Sequence, residues 1–500
     1  MLFHSLHFLL FFPIVVLAYF VLPRKLRIYW LLAASYYFYM CWNPVYSLLM
    51  LLSTAITFAS GLLIHRAHQK LSGEACIRAK KWYVALSFGL NLAILFFFKY
   101  YNFAIDNLFA LLAQFGVTWR KPTFDVLLPV GISFYTFQAL SYTMDVYRGE
   151  IAAEKNFFRY ALFVSFFPQL VAGPIERSKN LLSQLEKPSS FSFERMRNGL
   201  LMMIWGFFQK LVIADRAAIW VDEVYNHFQG FSGWTLVFAT ILFAVQIYCD
   251  FGGYSCIAIG AADVLGYNLM QNFRQPYFAK SISDFWRRWH ISLSTWFRDY
   301  LYFPMGGSRC GWLRRSFNLM VTFVVSGIWH GASWTYVIWG ALNGLMQIVE
   351  RLLGTLLKKI RTRFSLPNRY ENALSRRLLK TLVTFVLINL TWVFFRAESL
   401  ASAMEILRKM FEGNNLWVFT DGSFLHMGLD LIEFWTLMAA IGVLFVVDLL
   451  HEKGIKLRQS LYQQELWFRW AVYLIALFSV ILLGIYGGQY DASAFVYFQF

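Results

Sequence analysis

Long apolar runs, each about the length of a membrane-crossing helix, alternate with short polar loops along nearly the whole chain. A helix needs about twenty mostly apolar residues to cross about 30 Å of hydrocarbon. The stretches that meet this requirement are 8–22, 27–42, 45–64, 82–101, 127–147, 199–220, 235–263, 379–396, 429–450 and 468–486. The pattern predicts an all-α polytopic membrane protein with about ten crossings.

Composition agrees with this prediction. Apolar residues make up 58% of the 500 residues and charged residues 15%, against roughly 45–50% and about 25% in soluble domains. The first apolar run lacks the features of a signal peptide, so we expect it to remain in the mature protein. The five cysteines are widely spaced and never form a C-x-x-C pair, which argues against a disulfide framework or a structural zinc site.

The net charge of +17 is concentrated in alternate loops. Segments 65–81, 272–315 and 354–380 are rich in Lys and Arg, whereas 43–46, 221–234 and 487–500 contain neither. The positive-inside rule therefore places the basic segments in the cytoplasm and both chain ends outside. We interpret the excess charge as a topology signal with membrane lipids as its partner, and not as a nucleic-acid site.

One apolar stretch, 316–350, has basic residues on both flanks and is long enough for two helices and a turn. It is predicted to enter and leave the membrane from the cytoplasmic side, with the turn at His330-Gly331-Ala332-Ser333. At 1.5 Å per residue His330 lies roughly 22 Å from Arg315. Polar groups at that depth must be buried in protein or line a cavity. The pattern therefore predicts a funnel that ends near His330.

A second histidine lies in a segment with helical amphipathicity, 284–300, which we predict to be one helix at the cytoplasmic face. Its apolar stripe consists of Trp286, Trp289, His290, Leu293, Phe297 and Tyr300, and the opposite face carries Arg287, Arg288, Ser294, Thr295 and Arg298. His290 would then point inward as a partner for His330. The alternative is a core histidine bonded to backbone.

Two further polar features fall within apolar sequence. Asp250 lies at membrane depth near Tyr248 and a glycine pair, and a functional role or a structural hydrogen-bond network explains it equally well. Segment 166–175 contains two prolines and a glycine between basic flanks, which predicts a re-entrant break.

These residues suit acyl transfer from a thioester to a hydroxyl, which requires a base and stabilisation of an oxyanion. Burial favours the neutral imidazole, so His330 is the candidate base. His290, Trp286 or backbone N–H groups near Gly331 are alternative oxyanion donors. The arginines at 287, 288 and 298 either bind the phosphates of coenzyme A or of a phosphopantetheine arm, or only set the topology.

Other chemistries lack their sequence signals. The chain contains no G-x-S-x-G nucleophile elbow, no Walker loop and no H-E-x-x-H motif, which disfavours hydrolase, ATPase and zinc-protease functions. A metal between His290 and His330 is disfavoured because neither histidine has a carboxylate beside it at helical spacing, so we expect no metal.

Five motifs, in this order, resemble the membrane-bound O-acyltransferase family, in the bacterial branch typified by alginate O-acetyltransferase. They are Leu128-Pro129-Val130-Gly131-Ile132-Ser133-Phe134-Tyr135, Phe167-Pro168-Gln169-Leu170-Val171-Ala172-Gly173-Pro174-Ile175, Gln246-Ile247-Tyr248-Cys249-Asp250-Phe251, Arg287-Arg288-Trp289-His290 and Trp329-His330-Gly331. The resemblance implies that His330 is the catalytic histidine and that His290 holds the second polar position.

The same resemblance implies one membrane domain over residues 1–500, with the motifs in about 128–350, C-terminal helices in 379–486 and an external tail in 487–500. About ten to eleven helices would form a ring around a central funnel with re-entrant segments. We expect the funnel and substrate site to include Trp286, Arg287, Arg288, Trp289, Asp250, Tyr248 and Trp329. No tightly bound cofactor is expected, because the acyl thioester, acetyl-CoA or a carrier-bound acyl group, is a substrate.

The function implied is transfer of acetyl from a cytoplasmic thioester, across a bacterial inner membrane, toward hydroxyls of an exported polysaccharide such as alginate. An extracytoplasmic acetyltransferase would be its partner protein. Peptidoglycan O-acetylation and D-alanyl transfer to teichoic acid are alternatives within the family. From other classes, a transporter of polysaccharide or lipid-linked sugar and a non-catalytic scaffold remain open, although the repeated halves common in transporters are not evident.

The chain ends in Phe495-Val496-Tyr497-Phe498-Gln499-Phe500. This sequence resembles an F-x-Y-x-x-F terminus associated with acyl transfer across membranes in related bacterial systems. The resemblance implies that Tyr497 relays the acyl group from the funnel to the partner enzyme. The alternative is an aromatic anchor at the membrane interface.

Overall fold

The computed structural model describes residues 1–116, 128–187, 189–364, 373–413 and 415–486. Within these ranges every regular element is a helix and no strand is present. The predicted all-α class is therefore confirmed. The described residues within 1–203 and 255–270 form one compact unit, and those within 204–254 and 271–486 form another.

The helices of the first unit and their bounds follow chain order. They are α1 (Leu6–Val21), α2 (Arg27–Met40), α3 (Pro44–Lys70), α4 (Gly73–Lys99), α5 (Tyr101–Gln114), α6 (Ile132–Tyr147), α7 (Phe157–Ser165), α8 (Phe167–Leu170), α9 (Ser178–Leu185) and α10 (Phe193–Phe207), the last of which continues into the second unit.

Small and hydroxyl-bearing side chains hold the first unit together. Gly61 of α3 lies so close to the ring of Tyr142 in α6 that an added Cβ would stand 2.6 Å from the tyrosine oxygen. Ser53 of α3 donates a 2.5 Å hydrogen bond to Asn91 of α4, and both side chains are buried. Such contacts are typical of helices that pack in lipid, where small residues let backbones approach closely.

The predicted break within 166–175 is present in this unit. α7 ends before Phe166, and the short α8 starts again with Pro168 in its first turn. The prolyl ring can occupy that position because the first N–H groups of a helix have no intrahelical acceptor.

The second unit contains the remaining helices and two π-helical turns. They are the π segment Phe208–Ala214, α11 (Asp215–Asn226), α12 (Trp234–Val264, which is shared with the first unit), α13 (Ile282–Trp286), α14 (Ile291–Phe297), the π segment Arg298–Tyr302, α15 (Trp312–His330), α16 (Trp334–Arg363), α17 (Leu374–Arg396), α18 (Leu400–Met410), α19 (Leu431–Glu452), α20 (Leu457–Tyr462) and α21 (Leu466–Leu483).

Six of the described helices, α3, α4, α12, α17, α19 and α21, are long and apolar enough to cross a membrane. They coincide with predicted crossings, and α1 is a shorter apolar helix. The chain is thus a multi-pass membrane protein. Other predicted crossings correspond to shorter or interrupted helices, such as α2, α6 and α10 with its following π segment, so the count of ten stays a prediction.

The predicted hairpin consists of α15 and α16, joined by a turn at 331–333. Glycines bring the two helices into backbone contact. A Cβ on Gly327 would lie 2.2 Å from the carbonyl oxygen of Tyr336, and one on Gly340 would lie 2.3 Å from that of Phe323. The close packing fixes the turn and the residue before it, His330.

The prediction of one continuous helix over 284–300 is wrong. The structure has two short helices, α13 and α14, separated by a break at 287–290. The break arises because Arg288 accepts a hydrogen bond from the Arg274 N–H and Ile291 donates one to the Asn272 carbonyl oxygen. His290 itself has a left-handed backbone, with φ 41° and ψ 56°.

Candidate active site in the second unit

His330 is the last residue of α15, and its side chain is buried. The chain then becomes extended at Gly331, and Ser333 caps α16 by accepting a hydrogen bond from the Thr335 N–H. A Cβ on Gly331 would stand 2.3 Å from the ring of Tyr336. Glycine is therefore favoured beside that ring, and the turn leaves the imidazole at the end of the hairpin.

Aromatic side chains surround the His330 imidazole. The ring centroids of Trp329, Trp339 and Phe395 lie 5.0, 5.1 and 5.3 Å from the imidazole centroid. Trp392 stacks on Trp339 at 5.9 Å with an interplanar angle of 21°. The imidazole therefore occupies a largely apolar enclosure.

His290 shares a neighbour with His330. The Trp329 ring, already against His330, lies 6.1 Å from the His290 ring, and the edge of Phe251 approaches that ring at 4.6 Å. His290 lies outside the long apolar helices and is buried. Burial lowers the pKa of its imidazole to about 3. It is therefore neutral at pH 7. The structure thus gathers the two histidines of the sequence motifs around one indole.

Asn272 also belongs to this site, although the sequence analysis did not select it. Its side-chain oxygen lies 3.4 Å from Nδ1 of His290 and 2.6 Å from the hydroxyl of Ser292. An asparagine in a loop between two motifs carries no periodic signal, so only the folded chain reveals this contact.

The remaining residues of the Arg-Arg-Trp-His motif have different surroundings. Trp286 donates a 3.2 Å hydrogen bond to Asn343, and Trp289 stacks on Phe285 at 5.4 Å inside the core. The Arg288 guanidinium binds Asp284 at 3.0 Å and Glu452 at 2.6 Å. Arg287 is exposed. A structural ion pair therefore occupies Arg288, whereas Arg287 is accessible.

Tyr248 belongs to a buried polar pair and Asp250, also of α12, to a buried group of three charged residues. The Tyr248 hydroxyl donates a 2.9 Å hydrogen bond to Asp448 of α19. Asp250 binds the Lys210 ammonium at 2.6 Å, and the same ammonium lies 2.8 Å from Asp215. The sequence analysis did not select Lys210, although an ionisable residue within a predicted crossing, here 199–220, indicates a functional or structural role.

A cavity of about 580 Å³ begins directly after His330. Its wall includes the turn residues 331–333 and the polar side chains of Asp222, Gln246, Arg396 and Glu398. Arg396 binds Asp222 at 2.5 Å, so part of this charge is internally compensated. The cavity joins a polar, accessible space to the end of an apolar hairpin, which suits a hydroxyl-bearing substrate approaching an imidazole. In the part of the chain that the structure describes, no group of three His, Cys, Asp or Glu residues is placed to hold a metal ion.

Known acyltransferases are similar to this chain in sequence. The model of the membrane-bound O-acyltransferase family matches residues 151–370. A probable alginate O-acetylase of Pseudomonas putida is 40% identical over 402 residues, which cover 80% of this chain and 78% of that protein. A peptidoglycan O-acetyltransferase of Helicobacter pylori is 33% identical over 457 residues, covering 85% and 81%. A teichoic acid D-alanyltransferase of Bacillus subtilis is 26% identical over 245 residues, covering 45% and 60%.

The match to relatives above 30% identity extends over most of their length and of this chain, and the family model, over 151–370, includes both histidine motifs. The chain belongs to the membrane-bound O-acyltransferase family, in its alginate O-acetylase-like branch, and is an O-acyltransferase.

Proposed function

We propose that this protein moves an acetyl group from a thioester on the cytoplasmic side of a bacterial inner membrane to a hydroxyl of an exported polysaccharide on the other side, with His330 as the general base. The observation that carries the proposal is the polar cavity whose wall starts at the residue after His330. Relatives described as alginate O-acetylases favour a polysaccharide acceptor. Peptidoglycan remains the second candidate acceptor.

The distribution of charge supports the sidedness. The cavity wall draws on the hairpin turn, the end of α11 at Asp222 and the end of α17 at Arg396. The hairpin turn and the end of α17 lie at the far ends of helices whose other ends are flanked by basic residues. The end of α11 lies in segment 221–234, which contains no Lys or Arg. The positive-inside rule assigns all of them to the outer side, together with both chain ends. The acceptor would therefore enter through this cavity.

The transfer itself needs one base and one oxyanion site. His330 takes the proton of the acceptor hydroxyl as the hydroxyl oxygen attacks the thioester carbonyl carbon. The tetrahedral intermediate collapses, the carbon–sulfur bond breaks, and the thiolate leaves and takes up that proton from the imidazolium. The surrounding rings leave His330 only 4% exposed, which would limit hydrolysis of the thioester by water.

The donor would bind at the cytoplasmic face. Acetyl-CoA and a carrier-bound acyl group both bring phosphate, and Arg287 and Arg298 are exposed, so their guanidinium groups are accessible to it. Arg298 also pairs with Asp299 at 2.8 Å. The donor is a substrate in this proposal, so no tightly bound cofactor is required.

Tyr497 lies outside the described residues. In the proposal its phenol is the first hydroxyl acetylated with His330 as base, and an extracytoplasmic partner enzyme then passes the acetyl group to the polysaccharide. A phenol can carry the acyl group because a nearby base makes it nucleophilic and its aryl ester transfers readily. We expect Tyr497→Phe to abolish polymer acetylation, because the variant lacks the oxygen that would carry the acyl group. It keeps the ring, so an anchoring role would be preserved. Polymer-bound acetate is the measurement. Full acetylation by this variant would reduce Tyr497 to an interfacial anchor.

The function as a whole is testable in membrane vesicles of opposite orientation. Vesicles from cells that make this chain and the polymer receive labelled acetyl-CoA and cytosolic extract on the outside. Everted vesicles, whose cytoplasmic face is outward, should acetylate polymer in their lumen, and right-side-out vesicles should not. Equal labelling in both orientations would overturn the proposed direction. If vesicles export unmodified polymer only when this protein is present, a transporter would be favoured.

A further inference from the structure

The side-chain oxygen of Asn272 lies among three donor groups of the segment that carries His290. It is 2.6 Å from the Ser292 hydroxyl, 3.4 Å from the Ser292 backbone nitrogen and 3.4 Å from Nδ1 of His290. All three side chains are buried, with 1% or less of their surface exposed. One amide therefore contacts both the imidazole and the backbone that follows it.

The backbone contact identifies the chemistry of this amide. A backbone N–H only donates, so the Asn272 atom facing Ser292 N must be the carbonyl oxygen and not the NH₂ group. A carbonyl oxygen only accepts, so Nδ1 of His290 must carry the hydrogen that it shares with Asn272. A neutral imidazole has a single N–H. Nε2 of His290 consequently holds a lone pair.

The same asparagine also holds the backbone of this motif. The backbone carbonyl oxygen of Asn272 accepts a 2.9 Å hydrogen bond from the Ile291 N–H. Two residues later, the backbone N–H of Arg274 donates a 3.0 Å bond to the backbone carbonyl oxygen of Arg288. His290 between them has the left-handed conformation, which costs a residue other than glycine about 1–3 kcal/mol and persists only where its surroundings enforce it. Asn272 thus fixes both the position and the ring of His290.

We propose that Asn272 is a positioning residue which holds His290 in the Nδ1–H tautomer, so that His290 takes part in acyl transfer as a hydrogen-bond acceptor through Nε2. This inference rests on the proposed function. It removes neutral His290 from the candidate oxyanion donors at Nε2, and it leaves that task to other donors, such as the backbone N–H groups near Gly331.

Charged groups on the neighbouring elements are paired with one another. On α12, Asp250 precedes the Phe251 that touches His290, and its carboxylate binds Lys210. On the motif itself, Arg288 binds Asp284 and Glu452. A carboxylate oxygen in place of the Asn272 oxygen would lie beside Nδ1 of His290, which makes a new negative charge at position 272 a sensitive probe.

The test compares three variants by transfer rate against pH in everted vesicles. Asn272→Asp keeps the accepting oxygen, but its charge favours the imidazolium and raises the pKa of His290. As the medium is acidified, the neutral form is then lost at a higher pH. The acid limb of the rate profile should therefore shift to higher pH. Asn272→Leu removes the acceptor and should lower kcat about 10–100-fold with KM little changed, as expected for loss of a group that orients a histidine.

Thr295→Ala is the matched control, because it removes a hydroxyl of the same helix that donates to the carbonyl oxygens of Ile291 and Ser292. It should keep the wild-type profile, and the membrane abundance of all three variants is measured alongside. An unmoved acid limb in Asn272→Asp together with wild-type kcat in Asn272→Leu would overturn the positioning role. Wild-type vesicles that transfer no acetyl would instead overturn the proposed function.

Discussion

Replacing His330 with alanine is expected to lower acetyl transfer by about 10²–10⁴-fold, the range usually lost with a general base. The imidazole stands at the end of the α15–α16 hairpin next to the cavity, and its described ring neighbours, Trp329, Trp339 and Phe395, are apolar or weakly polar and supply no base. The measurement is acetate bound to exported polymer, taken together with the amount of protein in the membrane.

His330→Gln separates the loss of the base from the loss of packing, since it retains a polar side chain of comparable length. His227→Ala is a suitable control because that histidine is exposed at the end of α11. The control should acetylate normally. Undiminished polymer acetate in a stable His330 variant would remove this residue from the mechanism.

Replacing Lys210 with methionine is expected to destabilise the fold by about 3–5 kcal/mol, because it leaves two buried carboxylates without their shared cation. Lys210, Asp215 and Asp250 retain only 3%, 7% and 2% of their side-chain exposure. The effect should appear as reduced thermal stability of the purified protein in detergent and as low membrane abundance.

Combining Lys210→Met with Asp215→Asn and Asp250→Asn should recover much of this loss, because a buried ion cluster replaced by neutral groups is often nearly neutral in stability. Lys409→Met is the matched control, since that lysine is only half-buried and donates to the carbonyl oxygen of Gln229. A single Lys210 variant as stable as the control would show that the cluster contributes nothing to folding.

The hairpin was predictable because its determinants are local. Basic residues flank one apolar stretch, and the sequence around Gly331 breaks the helix where the structure has the turn. Hydropathy and the positive-inside rule act on each segment separately. A single sequence therefore suffices to assign the apolar stretch and its cytoplasmic flanks. The same holds for the break at 166–175, where proline acts on its own backbone.

The site around His290 was only partly predictable. Helical periodicity placed Trp289 and Leu293 correctly in the interior, yet the helix is broken at 287–290 by hydrogen bonds to residues 272 and 274. Contacts between segments separated along the chain leave no periodic signal. For the same reason the partners of known candidates, Asn272 for His290 and Lys210 for Asp250, emerged only from the folded chain.

The most direct test of the central claim is the single-turnover rate of labelled acetyl transfer in everted vesicles that contain equal amounts of wild-type or His330→Gln protein. If His330 is the general base beside the outer cavity, the wild type should label polymer in the lumen and the variant should be slower by about 10²–10⁴-fold. Equal rates in the two preparations would contradict the claim.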